Sequence, residues 1–266
     1  MNIKPVNVDD FKRMKQEGQK ITALTAYSSL YAAFLDEAGI DLILIGDSLG
    51  NVFQGRGTTI PVTLEEMIYH GEIVARSVTR GFVVVDMPFM SYQINAEEAL
   101  RNTGKVMKLT GCNAVKLEGG VTIKNTIRQI VDIGIPVLGH IGLTPQSINT
   151  LGGYKVQGRE DRKRIIADAV AVEEAGAFAV VMEKIPQSLA SEITKKLSIP
   201  TIGIGAGPDC DGQILVTEDM LGLFREYKPK FVRKYAELAD SALKGLGHYI
   251  EDVKSGSFPS DDESYD

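Results

Sequence analysis

The residues of this 266-residue chain that could do chemistry recur at the ends of predicted strands. The clearest case is residues 42–45, four apolar residues that are followed by Gly46, Asp47 and Ser48. Four consecutive apolar residues indicate a strand buried on both faces, and a polar pair at its carboxyl end is where α/β enzymes place their chemistry. Taken alone, the stretch is equally consistent with Asp47 or Ser48 capping the segment that follows.

Further predicted strands end in the same way. Their terminal polar residues are Asp86 after the third strand, Lys116 and Glu118 at the fourth, His140 after the fifth and Glu183 after the sixth. One acidic residue after a strand is ordinary helix capping, but four carboxylates at four strand ends are hard to explain by capping alone. If the strands form a barrel, these ends open onto one rim and the side chains should converge.

Converging carboxylates repel one another strongly unless a cation is present. Their hard oxygen atoms favour Mg²⁺ over zinc, and the chain has no Cys/His spacing typical of zinc sites. Because Mg²⁺ keeps several waters, two or three carboxylates from strands two to four suffice, which leaves Glu183 free as a base. Lys116 shares a strand face with Glu118, so it is either a buried cation suited to an anionic substrate or an internal ion-pair partner. His140 is either functional or a hydrogen-bonding residue of its loop.

Eight predicted strands alternate with helices without a linker, which predicts an α/β fold, a (β/α)8 barrel. We predict one barrel domain over residues 1–254, with an N-terminal lead-in and C-terminal helices, and an acidic, disordered tail over 255–266. A doubly wound sheet is the alternative, but Gly203–Gly207 has the wrong spacing for a dinucleotide fingerprint and comes late in the chain. The predicted strands are residues 20–26, 41–45, 82–85, 112–117, 135–138, 178–182, 200–204 and 213–216. Long loops are predicted over 46–62 and 139–158, and a C-terminal helix over 230–246.

Composition excludes several classes of protein. The net charge of −6 offers no broad basic field for nucleic acid, and no apolar run is long enough to span a membrane. The two cysteines are too few for a disulfide framework, which predicts reduced thiols and a cytoplasmic location. His70 and His248 fall on predicted helices, where we expect them to be exposed.

Several motifs together resemble the ketopantoate hydroxymethyltransferase family (3-methyl-2-oxobutanoate hydroxymethyltransferase). The matching stretches run from about residue 20 to 235, in the family's order. They are residues 46–50, 54–55, 61–63, 86–90, 115–120, 139–147, 152–158, 202–207 and 211–216. One departure is Ser28 in Thr25-Ala-Tyr-Ser28, where many relatives have aspartate.

The resemblance implies a barrel of the phosphoenolpyruvate-mutase/isocitrate-lyase type and a homo-oligomer, commonly a decamer. It implies Mg²⁺ held by Asp47, Asp86 and Glu118, with 3-methyl-2-oxobutanoate bound by Asp47, Ser48, Asp86 and Lys116. It implies Glu183 as the general base that generates a Mg²⁺-stabilised enolate, and 5,10-methylenetetrahydrofolate as the one-carbon donor. The product is 2-dehydropantoate, in pantothenate biosynthesis.

Three alternatives remain open from the sequence. The first is a Mg²⁺-dependent C–C lyase of the same barrel group that acts on another 2-oxo acid. Such lyases often use a cysteine as the acid, but Cys112 is predicted at the wrong end of the barrel and Cys210 in a late loop. The second is a binding protein that keeps the site without turnover. The third is a phosphate binder that uses Gly203–Gly207 at a helix N-terminus.

Overall fold

Eight parallel strands form a closed barrel in the computed structural model, which describes residues 4–225 and 229–265. Each strand pairs with the next along the chain, and β1 closes the barrel against β8 with Ile21 opposite Gly212. The strands are β1 Ile21–Thr25, β2 Leu42–Ile45, β3 Phe82–Asp86, β4 Ala114–Glu118, β5 Val137–Gly142, β6 Ala179–Glu183, β7 Thr201–Ile204 and β8 Gly212–Leu215. The predicted (β/α)8 barrel is confirmed.

Helices follow most of the strands. In chain order they are α1 Val8–Glu17, α2 Ser29–Glu37, α3 Leu49–Val52, α4 Leu64–Ala75, α5 Ala96–Thr110, α6 Lys124–Asp132, α7 Ile148–Leu151, α8 Arg162–Glu174, α9 Gln187–Lys196, α10 Thr217–Met220 and α11 Leu238–Ser255. None of the helices within the described ranges combines the length and the apolar character needed to cross a bilayer.

Local signals fix where several helices begin. Thr63 accepts a hydrogen bond from Glu66 N while the Glu66 carboxylate accepts one from Thr63 N, which is the capping box at the start of α4. Asn95 caps α5 by accepting from Glu98 N. Ser28, the departure from the family pattern, caps α2 by accepting from Tyr31 N at 3.4 Å. Its hydroxyl therefore supplies an acceptor of the kind that an aspartate side chain offers at an N-cap.

The strands bury two different faces. One alternating set packs against the surrounding helices, as Ile43, Ile45 and Val83 do. The other set forms a separate apolar cluster made of strand residues and the N-terminal segment, and therefore lines the barrel interior. Its strand members are Ile21, Ala23, Leu42, Leu44, Phe82, Val84, Ala114, Leu138, Ala179, Val181, Ile202 and Ile214.

Helix α1 covers the amino-terminal end of the barrel. Its Phe11 is fully buried and packs against Phe82 at 5.1 Å and Phe178 at 5.4 Å between ring centroids. Lys15 of the same helix donates to Asp211, just before β8, at 2.7 Å. The amino-terminal half of the interior is thus filled with apolar side chains, and any cavity for chemistry has to lie at the carboxyl ends of the strands.

Contacts divide the chain into two compact units, residues 1–216 and 217–266. The second unit contains α10 and α11, and α11 has no buried residue. Met1 to Ile3 of the predicted lead-in, residues 226–228 of the predicted domain and Asp266 of the predicted tail lie outside the described residues. The proposed boundary at residue 254 and the disorder of the tail stay predictions.

Two of the predicted strands and helices differ from the structure by more than two residues at an end. The C-terminal helix begins at Leu238 and ends at Ser255, whereas the sequence placed it over 230–246. Strand β5 continues to Gly142, whereas the prediction ended it at Leu138 and assigned His140 to a loop. The extension occurs because residues 139–142 pair with residues 180–183 of β6.

Candidate active site

Strand register brings the predicted polar residues together at the carboxyl end of the barrel. Asp86 is opposite Lys116 in the β3–β4 pair, and Glu118 is opposite His140 in the β4–β5 pair. Five of these side chains point into the barrel, because they alternate along their strands in step with the apolar interior residues. They form the layers above the apolar ones. They are Asp86, Lys116, Glu118, His140 and Glu183. All five therefore lie within their strands, whereas the sequence placed Asp86, Glu118, His140 and Glu183 just past the strand ends. Only Asp47 and Ser48 follow their strand.

Lys116 is the buried cation at the centre of this cluster. Its Nζ lies 2.7 Å from Asp86 Oδ1, 4.0 Å from Glu118 Oε1 and 3.2 Å from His140 Nδ1. Burial opposes its charge, but the neighbouring carboxylates of Asp86 and Glu118 outweigh burial and raise the pKa of the lysine. The structure thus confirms that Lys116 and Glu118 share the interior face.

His140 links the two sides of the cluster. Its Nδ1 lies 3.3 Å from Glu118 Oε1, and its Nε2 lies 3.2 Å from Glu183 Oε2. Burial and Lys116 disfavour the imidazolium, whereas Glu118 and Glu183 favour it more strongly and raise the pKa of His140 to about 9. Glu183 is the more accessible partner, with its side chain 16% exposed against 4% for His140.

The backbone beyond Glu183 is tightly constrained. Lys184 adopts a left-handed φ of 49°, its N–H donates to Ile204 O, and its carbonyl accepts from Gln157 N at 3.0 Å. Gly142 has φ 93°, and a Cβ there would lie 2.3 Å from the Glu183 carbonyl oxygen. Only glycine permits the close approach of β5 to β6 that sets the position of Glu183.

Asp47, Asp86 and Glu118 each commit one carboxylate oxygen to an N–H donor of the protein. Asp86 Oδ2 accepts from Asp47 N at 3.2 Å, Asp47 Oδ2 from Gln146 Nε2 at 3.0 Å and Glu118 Oε2 from Gln146 N at 3.0 Å. The other oxygens of Asp86 and Glu118 are buried without a well-aligned hydrogen bond. Asp86 Oδ1 is compensated by its ion pair with Lys116, and Glu118 Oε1 by its ion pair with His140.

Burial and repulsion between neighbouring carboxylates disfavour the ionised acids of this cluster, so an additional positive charge would stabilise them. Burial, followed by the charges of Asp86 and Glu118, raises the pKa of Asp47 well above its usual range. Burial also raises the pKa of Asp86, although Lys116 opposes the shift. Glu118 is the exception, since hydrogen bonding and charge from His140 outweigh burial and lower its pKa. A further cation would stabilise the ionised form of Asp47.

The donor set fits Mg²⁺, because hard carboxylate oxygens without hydrogen bonds face a shared interior. Within residues 4–225 and 229–265, no three His, Cys, Asp or Glu side chains converge closely enough to hold an ion by themselves. Mg²⁺ usually takes one or two carboxylates and completes its shell with water and substrate oxygens. The arrangement suits that mode better than a cage of three direct protein ligands.

Ser48 lies beside the cluster and belongs to a second set of hydrogen-bonded polar groups. Its Oγ is 2.8 Å from the Tyr27 hydroxyl, and Tyr27 O is 2.7 Å from His70 Nδ1. His70 is therefore buried, and the expectation that it is exposed is wrong. It shares the inner face of α4 with Met67 and Val74, at helical spacing that the sequence already shows. His248 is exposed as expected.

Sequence reasoning missed two residues that organise the site, Tyr92 and Gln146. The Tyr92 hydroxyl accepts from Glu118 N at 3.1 Å and lies 2.9 Å from Gln146 Oε1. Both side chains are buried. Gln146 falls inside one of the stretches that carry the family resemblance, whereas no pattern in the sequence marks Tyr92.

Two candidate features lie away from this site. Gly203 belongs to β7, and the chain turns through Gly205 and Gly207 directly into β8, so no helix N-terminus is present for a phosphate. Cys112 precedes β4 and Cys210 precedes β8, and both thiols are free and buried. Burial raises the pKa of both, which disfavours reactive thiolate at either position.

Comparison of the structure with solved structures identifies proteins that share its barrel fold. Phosphonopyruvate hydrolase, solved with oxalate and Mg²⁺, matches with TM-score 0.64 and 12% identity, over 97% of this chain and 93% of that one. 2,3-Dimethylmalate lyase, a member of the PEP mutase/isocitrate lyase superfamily, matches with TM-score 0.58 and 17% identity, over 97% and 91%. The fold is therefore of the phosphoenolpyruvate-mutase/isocitrate-lyase type, as predicted.

Sequence comparison is more specific. The profile of the ketopantoate hydroxymethyltransferase family matches residues 5–261. The 3-methyl-2-oxobutanoate hydroxymethyltransferase of Chlorobium phaeobacteroides (strain DSM 266) is 58% identical, over 95% of this chain and 93% of its own length. That of Pelobacter propionicus is 54% identical over 98% of both chains. The chain is therefore a hydroxymethyltransferase, a member of the ketopantoate hydroxymethyltransferase family.

Proposed function

We propose that the chain transfers a hydroxymethyl group from 5,10-methylenetetrahydrofolate to 3-methyl-2-oxobutanoate, giving 2-dehydropantoate for pantothenate biosynthesis. The observation that carries the proposal is the division of the cluster into two sides. Asp47, Asp86 and Glu118 lie with Lys116 on one side, and Glu183 lies beyond His140 on the other. Such a site can bind an anionic 2-oxo acid at one side and deprotonate it from the other.

Mg²⁺ is the proposed metal, held by Asp47, Asp86 and Glu118 directly or through water. When bound, it supplies Lewis-acid stabilisation for the negative charge that develops on the substrate's keto oxygen. Oxalate and Mg²⁺ in the structure of phosphonopyruvate hydrolase support this choice of metal and ligand class. We propose that Asp47, Ser48, Asp86 and Lys116 contact the substrate, with the Lys116 ammonium balancing its carboxylate.

Glu183 is the proposed general base. It is the most accessible carboxylate of the cluster and ends β6 opposite Gly142, whose lack of a side chain lets the two strands approach. His140 Nε2, 3.2 Å from Glu183 Oε2, holds the carboxylate in place. Glu183 takes the proton from C3 of the substrate. Water hydrolyses both C–N bonds of the folate methylene group, which releases tetrahydrofolate and formaldehyde, and the C3 carbanion adds to the formaldehyde carbon to give the hydroxymethyl group.

Deuterium exchange at C3 of 3-methyl-2-oxobutanoate, followed by NMR without folate, tests the base and the substrate together. We expect exchange that depends on Mg²⁺, and a loss of at least ~100-fold in Glu183→Gln. Glu17→Gln makes the same chemical change on the exposed face of α1 and serves as the matched control. Near-wild-type exchange in Glu183→Gln would remove Glu183 from this role.

The folate requirement has its own outcome. If wild-type enzyme exchanges C3 only after tetrahydrofolate is added, folate binding precedes proton abstraction. If exchange is absent even then, the substrate is not this 2-oxo acid, and a lyase activity on another 2-oxo acid takes its place. Formation of 2-dehydropantoate with 5,10-methylenetetrahydrofolate tests the complete reaction.

We further propose that the chain assembles into a homodecamer in the cytoplasm. Helix α11 supports self-association, because it exposes the apolar side chains of Leu243, Leu246, Tyr249, Ile250 and Val253. The two unpaired thiols support a reducing compartment. Light scattering should give a mass ten times the 28.9 kDa of the chain, and a monomer mass would contradict the proposal.

A further inference from the structure

Gln146 holds carboxylates of the site through both its side chain and its backbone. It lies in the 3₁₀ turn Pro145–Ser147 that follows β5, and it is 5% exposed. Its side-chain Nε2 donates to Asp47 Oδ2 at 3.0 Å, and its backbone N–H donates to Glu118 Oε2 at 3.0 Å. A single residue of the β5 loop thus joins the acids that follow β2 and end β4.

The surroundings of the amide fix its orientation. Its second N–H donates to the carbonyl of Met87 at 2.9 Å, and a backbone carbonyl can only accept. The amide oxygen lies 2.9 Å from the Tyr92 hydroxyl and accepts from Gln93 Nε2 at 2.9 Å. Rotating the amide by 180° would put its oxygen against the Met87 carbonyl oxygen, and the hydrogen-bond network therefore allows one orientation.

We propose that Gln146 is a positioning residue that decides which oxygen of Asp47 and of Glu118 faces the ligand. Because Gln146 takes Oδ2 of Asp47 and Oε2 of Glu118, the remaining oxygen of each acid is the one left for metal, water or substrate. For Glu118 that remaining oxygen is buried and lacks a well-aligned hydrogen bond. Residues that orient metal ligands in this way commonly change metal affinity or activity ~10–100-fold when replaced.

The alternative is that Gln146 only anchors its loop to the barrel. Two contacts favour the positioning role over that alternative, because both are made with the carboxylates themselves. A loop anchor needs the contact to Met87 O or to Tyr92, but it does not need a donor for each of two acids from distant segments of the chain.

Replacement of Gln146 by methionine tests the side-chain contact with Asp47, since the side chains are similar in length and the methionine side chain has no N–H to donate. The backbone N–H that donates to Glu118 is kept. The proposal rests on the proposed Mg²⁺ site, so the first readout is binding of Mn²⁺ without substrate, followed by electron paramagnetic resonance. We expect the Mn²⁺ dissociation constant to rise at least ~10-fold. C3 exchange at saturating metal should also fall, because Asp47 without its side-chain donor no longer binds the 2-oxo acid correctly.

Gln16→Met makes the same change at an exposed position and is the control for indirect effects, since Gln16 lies on α1 at the opposite end of the barrel. It should bind Mn²⁺ and exchange C3 as the wild type does. Wild-type Mn²⁺ affinity and exchange in folded Gln146→Met would overturn the proposal and leave Gln146 as a loop anchor. If Gln146→Met does not fold, Tyr92→Phe keeps the ring and removes the hydroxyl that faces Gln146 and Glu118.

The outcome for Tyr92→Phe is equally decisive. Weaker Mn²⁺ binding with an unchanged circular dichroism spectrum supports the network, and unchanged Mn²⁺ binding contradicts it.

The experiments also distinguish failure of the positioning role from failure of the proposed function. Wild-type enzyme that binds Mn²⁺ in a Gln146-dependent way but never exchanges C3 contradicts the proposed function alone. Exchange in the wild type that is unaffected in Gln146→Met contradicts the positioning role alone.

Discussion

Replacing Lys116 by methionine should strongly destabilise the protein. The substitution keeps most of the side-chain volume and removes the ammonium that lies 2.7 Å from Asp86 Oδ1 and 4.0 Å from Glu118 Oε1. At an effective dielectric constant of ~20, the 2.7 Å pair alone corresponds to roughly 6 kcal/mol before desolvation is subtracted. Removing one partner of a buried ion pair typically costs ~3–5 kcal/mol, and we expect a loss of that size.

A double-mutant cycle with Asp86→Asn isolates the pair. Each single variant leaves a buried charge without its partner, whereas the double variant removes both charges. The double variant should therefore be more stable than the sum of the single losses predicts, by ~1–3 kcal/mol. Urea unfolding at pH 7 in EDTA gives the free energies of unfolding, provided that the m-values agree among the variants.

The control for this cycle is the exposed pair of Lys105 and Glu65, whose Nζ and Oε1 are 2.9 Å apart. Lys105→Met should change the free energy of unfolding by less than ~1 kcal/mol, because solvent screens an exposed pair. Losses for Lys116→Met and Asp86→Asn that add within ~0.5 kcal/mol would refute the coupling. In that case Lys116 is not an electrostatic partner of Asp86 in the folded protein.

Two further predictions concern Glu218 and Gly142. Burial raises the pKa of Glu218 from 4.5 to about 7, so stability is lost as the pH rises through this interval. Glu218→Gln should raise Tm at pH 8 but not at pH 4. The control Glu251→Gln, an exposed change on α11, should raise Tm at neither pH. Equal effects of Glu218→Gln at the two pH values would contradict the prediction. Gly142→Ala should lower both stability and turnover, since its Cβ would lie 2.3 Å from the carbonyl oxygen of Glu183. Gly104→Ala, with no atom within 4 Å of the added Cβ, is the control, and wild-type turnover in Gly142→Ala would exclude the close approach as a constraint on Glu183.

The sequence predicted the barrel and most of its charged interior because both follow from local patterns. Strand alternation repeats every two residues, so the shared face of Lys116 and Glu118 could be read without any contact. Apolar runs of four or five residues placed the strands, and their polar ends placed Asp86 and Glu183 close to where they lie. The error over His140 arose because β5 extends by pairing with β6, which is a tertiary contact.

Contacts between distant segments could not be predicted in the same way. Gln146 and Asp47 are 99 residues apart in the chain, and Tyr92 and Gln146 are 54 apart. No periodic pattern connects such positions, and a glutamine in a loop is ordinarily exposed. His70 was the opposite case, since its helical spacing from Met67 and Val74 indicated burial and its polarity was given more weight.

The burial of Phe11 against Phe178 has a consequence for the order of folding during synthesis. Phe11 of α1 emerges from the ribosome long before Phe178, which precedes β6 and packs against it. At a synthesis rate of ~5–20 residues per second, the delay between the two residues is roughly 10–30 s. Throughout that time the nascent chain has no closed barrel, because β1 also awaits β8. The first helix of the chain is thus among the last to complete its packing, and a chaperone that shields apolar nascent segments would find Phe11 exposed until the sixth strand has been made.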